Sequence, residues 1–81
     1  MGIEYKIKFS VPESYDPSGL FKKLPSPIDG PSMTEIYNFN IEQDGFYFID
    51  HLVSNEVASV AFRRFVNEAL SHAESVQIVE L

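Results

Sequence analysis

Thr34 to His51 read TEIYNFNIEQDGFYFIDH, and the parity of this stretch decides the fold. Tyr37, Phe39 and Ile41 alternate with Asn38, Asn40 and Glu42, the period of two of a strand with one buried face. Phe46 and Phe48 then alternate with Tyr47, Ile49 and His51 in a second strand running to about Leu52. Between them stands Asp44-Gly45, a strong hairpin signal because a type I′ turn needs positive φ at both central positions. With that dipeptide as the loop, Ile41 lies opposite Phe48, Phe39 opposite Asp50 and Asn38 opposite His51. A four-residue loop from Glu42 to Gly45 changes the pairing but not the face. Either way Tyr37, Phe39, Ile41, Phe46 and Phe48 share one side, and this far more apolar set faces the core.

The flanking segments fit the same plan. Ile3, Tyr5, Ile7, Phe9 and Val11 alternate with Glu4, Lys6, Lys8 and Ser10 as another half-buried strand, which Pro12 ends. Asp16-Pro17 is a helix start, and Leu20, Phe21 and Leu24 give a short helix of about two turns an apolar stripe. Lys22 and Lys23 suit its C-terminus, Gly19 weakens it and Pro25 stops it. Pro25 to Ser32, with Pro27, Gly30 and Pro31, reads as a stiff connection. Ser54-Asn55 with Glu56 opens a long amphipathic helix through Ala73. Ala58, Ala61, Phe62, Phe65, Ala69 and Ala73 share its apolar face. His72 stands at i,i+4 from Glu68 near its end, a locally stabilising position. Ser75 to Leu81 is a last strand, with Val76 and Ile78 on one face and Gln77, Val79 and Leu81 on the other.

Strand–helix–strand–strand–helix–strand is the order of a ferredoxin-like βαββαβ two-layer sandwich, an α+β fold. Right-handed crossovers set both helices on one face of a four-stranded antiparallel sheet and leave the other face open. An antiparallel meander with one packed helix is the alternative if the Asp16 helix is irregular. The 81 residues, without repeats or low-complexity tracts, make a single domain over residues 1–81.

Composition narrows the function. With no cysteine there are no disulfides, thiolate metal sites or thiol nucleophiles. No metal-ligand spacing, phosphate loop or nucleophile elbow occurs, so no cofactor, metal or catalytic residue is expected. A net charge of −6 repels polyanions, which disfavours nucleic acid and anionic membranes as partners. No apolar run is long enough to span a bilayer, and without a secretory pattern at the start the expected compartment is the cytoplasm.

The open face therefore carries the candidate binding surface: Lys6, Lys8, Asn38, Asn40, Tyr47, Ile49 and His51, bordered by Glu4, Glu42, Gln77, Val79 and Leu81. Its apolar members, Tyr47, Ile49, Val79 and Leu81, suggest a protein partner or a homodimer seam. Arg63 and Arg64, an adjacent pair in an acidic chain, are a second candidate contact for an acidic partner. A non-catalytic protein-interaction or regulatory domain is the function expected. The alternative is a small-molecule sensor of the ACT-like kind, which shares the element order, with a pocket at a dimer seam or under Pro25 to Ser32. A small enzyme would be built on His51, Asn38 and Tyr47. Asp44 to His51 resembles in part the RNP1 octamer of RNA-recognition motifs, matching its glycine and two aromatics. Asp44, Tyr47 and His51 depart from its basic, small and final aromatic positions. That family's fold implies Phe46 and Phe48 on the open face, whereas the hairpin parity buries them.

Overall fold

The computed structural model describes residues 2–81. The elements are β1 (Ile3–Lys8), α1 (Ser18–Phe21), β2 (Ile28–Asp29), β3 (Thr34–Glu35), β4 (Tyr37–Glu42), β5 (Gly45–Asp50), α2 (Asn55–Leu70) and β6 (Gln77–Glu80). This is a mixed α+β domain with one main helix. Its four-stranded sheet runs β4-β5-β1-β6, and every neighbouring pair is antiparallel.

The hairpin keeps the expected faces, but its turn sits one residue earlier than Asp44-Gly45. Ile41 pairs with Phe46, Phe39 with Phe48 and Asn38 with Ile49, as in the longer-loop alternative. Glu42 still pairs with Gly45, so only Gln43 and Asp44 turn. Their carbonyls accept from Val11 and Phe9 N–H, at 3.1 and 3.2 Å, binding the turn to the continuation of β1. Gly45 is used inside the strand instead of at the turn apex. It has φ +144°, and a Cβ there would lie 2.0 Å from the Ile7 carbonyl oxygen. Only glycine lets β5 approach β1 so closely.

Three other expectations change. The first helix is a single turn: Asp16 bonds Ser18 through both carboxylate oxygens, but Gly19 and the tight turns after Phe21 stop its growth. The connection after Pro25 contains a small ribbon, β2 paired with β3. The long helix ends at Leu70, short of Ala73, where Ser71 Oγ donates to the Glu68 carbonyl at 2.6 Å. At its start Ser54 Oγ accepts from Val57 N–H at 3.3 Å, the cap expected of serine.

One face of the sheet packs on α2. Phe65 is fully buried and contacts Phe39, Phe46 and Phe48 at centroid distances of 4.9, 5.6 and 5.7 Å. Ala58, Ala61 and Ala69 bring the helix close enough for these rings to meet. α1 joins the same layer through buried Leu20, and through Phe21 against Phe39 at 5.6 Å. Phe46 and Phe48, at 0% and 1% exposure, lie in this core and not on the open face.

Candidate functional site

The other face of the sheet is an ordered grid. Register places Asn38, Ile49, Glu4 and Leu81 in one row across β4, β5, β1 and β6. The next row is Asn40, Tyr47, Lys6 and Val79. The third is Glu42, Gly45, Lys8 and Gln77. All the sequence-based candidates of this face thus come together, except that His51 stands just beyond the end of β5. The apolar members are divided: the Glu4, Lys6 and Lys8 column of β1 separates Tyr47 and Ile49 from Val79 and Leu81.

Polar links tie the strands across this face. Lys6 Nζ pairs with Glu42 and, at 2.7 Å, with Asp44, and its side chain is only 12% exposed. Hydrogen bonds from Lys6 to Asp44 and Glu42 raise the lysine pKa, and the same lysine lowers that of Asp44. Tyr47 donates to Glu4 Oε1 at 2.7 Å, and this bond, made only by the protonated phenol and reinforced by the negative charge of Glu4, raises the phenol pKa. Lys8 has no ion-pair partner among the described residues.

His51 Nε2 lies 2.5 Å from Asn38 Oδ1, although Asn38 pairs with Ile49 and not with His51. Glu35 Oε2 stands 3.8 Å from the same nitrogen. Sequence reasoning missed Glu35 because the ribbon that carries it is invisible in the pattern. Tyr47, the third member of the imagined catalytic set, is turned to Glu4 instead. Asp50 beside His51 accepts from the Leu52 N–H at 2.8 Å. Among the described residues, no three His, Cys, Asp or Glu side chains converge to hold a metal ion. His72 does not engage Glu68. Glu68 accepts from the Tyr15 hydroxyl at 2.6 Å, and His72 meets the Tyr15 ring edge-on at 5.1 Å.

The two arginines part. Arg64 borders a gap between α1 and α2 with Lys23 and Glu68, while Arg63 stands on the rim of a different cleft. That cleft, of about 280 Å³, lies between α2 and the sheet. Its floor is Tyr5, Phe48, Phe62 and Ile78, and Ile78 is 46% exposed. A shallow opening of about 230 Å³ lies under the Pro25 turn, floored by Tyr37 and Phe39. No helix of the described residues is long and apolar enough to cross a membrane. No family model, curated protein or solved structure matches the chain.

Proposed function

We propose that this chain is a non-catalytic protein-interaction domain on a ferredoxin-like plan, which self-associates through its open sheet face. The plan is supported by the central position of β1 and β5 with β4 and β6 outside them. It carries two departures, a one-turn α1 and the added β2–β3 ribbon. The observation that carries self-association is the β1 column. Glu4 and Lys8 are both exposed, with Lys6 between them already paired to Glu42 and Asp44. Read in the reverse direction, acid meets base. A second copy placed face to face about a two-fold axis across the strands sets Glu4 against the partner's Lys8, and Lys8 against the partner's Glu4. The same operation puts Ile49 over the partner's Gly45, where no side chain stands.

The grid is small. Four strands about 4.8 Å apart and six residues about 3.4 Å long give roughly 400 Å² per copy. A total near 800 Å² falls below the roughly 1,200 Å² of stable complexes, so the association is weak and concentration-dependent. Polar side chains already held by the cross-strand links lose little freedom on contact, which favours binding at this size. A charge exchange tests the pairing. Glu4→Lys and Lys8→Glu singly abolish dimerisation in sedimentation velocity runs, and the double variant restores it. A double variant as monomeric as the singles, with the fold intact by circular dichroism, overturns the proposal.

A further inference from the structure

Register orders the floor of the cleft between α2 and the sheet. Tyr5 pairs with Phe48, Ile3 with Asp50 toward one end, and Ile7 with Ile78 toward the other. Same-face neighbours along a strand are about 7 Å apart, so Asp50 and Ile78 mark opposite ends of a strip with the Tyr5 and Phe48 side chains between them. Phe62 of α2 packs on both rings, at centroid distances of 4.9 and 5.3 Å, and sets the level of its neighbour Arg63. Helix side chains lean toward the N-terminus, so Arg63 leans back along the lining toward Ser59 and the Asp50 end. Ala58 and Ser59 are small where α2 passes this strip, which keeps the cleft open.

The charges at the Asp50 end leave each other unsatisfied. Asp50 Oδ1 accepts from the Leu52 N–H at 2.8 Å. Neither Asp50 nor Arg63 has an ion-pair partner among the described residues. Glu80, beside Tyr5 in register, stands on the helix side of β6 and adds a second carboxylate. This end therefore carries both signs. A lone carboxylate meets Asp50 and Glu80, and a lone amine meets Arg63, each a like charge. A ligand that holds both charges on one carbon, with an apolar tail, satisfies the acid, the base and the floor together.

We propose that the cleft binds a free amino acid with a large apolar side chain. Its ammonium meets Asp50, its carboxylate meets Arg63, and its side chain runs past Tyr5 and Phe62 to cover Ile78. The volume, about 280 Å³, stands at the small end of ligand pockets, which begin near roughly 300 Å³. An apolar floor with a few convergent polar groups is the usual build of such a site. The proposal does not rest on self-association through the open face.

Calorimetric titration of the wild-type chain with leucine and phenylalanine tests it, with isocaproate and isoamylamine as analogues of leucine that keep one charge each. Leucine binds at least tenfold more tightly than either analogue, a comparison that needs no variant. Asp50→Asn and Arg63→Gln, folded by circular dichroism, each lose at least tenfold in leucine affinity. Lys8→Glu, which breaks the proposed dimer, leaves that affinity unchanged. Absence of binding by both amino acids at tens of millimolar overturns the proposal. So does an analogue that binds as tightly as leucine, or leucine binding that either cleft variant leaves undiminished. Leucine binding lost in Lys8→Glu moves the ligand to the open face and overturns the assignment to the cleft, while the dimer stands.

Discussion

At the scale of single residues, three positions carry consequences out of proportion to their size. Gly45→Ala places a methyl group against the Ile7 carbonyl at a backbone angle that alanine resists. The cost is at least about 3 kcal/mol from strain and displacement of β1 together, read as a lower denaturant midpoint. Leu52 is the reverse case. It has φ 62° and is 54% exposed, so its side chain gains little from burial while its backbone is strained. Leu52→Asn stabilises by about 1 kcal/mol, or about 4–8 °C in thermal midpoint. Lys6 sets the pH response of the open face. The lowered pKa of Asp44 contributes stability above the unfolded carboxylate value of about 4, lost as pH falls through the folded value. The raised pKa of Lys6 contributes below about 10.4, lost as pH rises through its folded value. Lys6→Met removes both contributions, so the thermal midpoint plotted against pH flattens at its acid and alkaline ends relative to wild type.

At the scale of elements, side-chain parity was legible and register was not. Alternation over Ile3 to Val11 and Tyr37 to Phe48 assigns each side chain to a face, because one face is buried and a one-residue slip would invert it. The pairing depends on where the turn falls. The dipeptide Asp44-Gly45 pointed to the wrong place because its glycine serves the approach to β1. The β2–β3 ribbon has strands of two residues, too short to show any period, and Glu35 beside His51 was lost with it. The cleft at Ile78 was also illegible, since it depends on where α2 crosses the sheet. The start of α2 was the clearest local signal, whereas α1 begins at Ser18 with Pro17 at its N-cap instead of at its first helical position. Ser54→Ala removes the hydroxyl that receives the Val57 N–H and costs about 1 kcal/mol, measured by chemical denaturation.

At the scale of the whole molecule, a sheet covered on one side only divides the surface into regions of different chemistry. The open face is bonded within itself, with Lys6 held by Glu42 and Asp44 and Tyr47 by Glu4, and under the proposed pairing its Glu4 and Lys8 match a reversed copy. The cleft between α2 and the sheet is apolar at its floor and carries both Arg63 and Asp50 in its lining. The acidic total opposes association of like copies at long range, so the proposed contact depends on the local match of Glu4 with Lys8. The central claim is that the open face joins two copies. Sedimentation equilibrium of the wild-type chain, from low micromolar to millimolar concentration, tests it most directly. The account predicts a mass that rises from monomer toward dimer and stops there. A monomer mass across the whole range contradicts it.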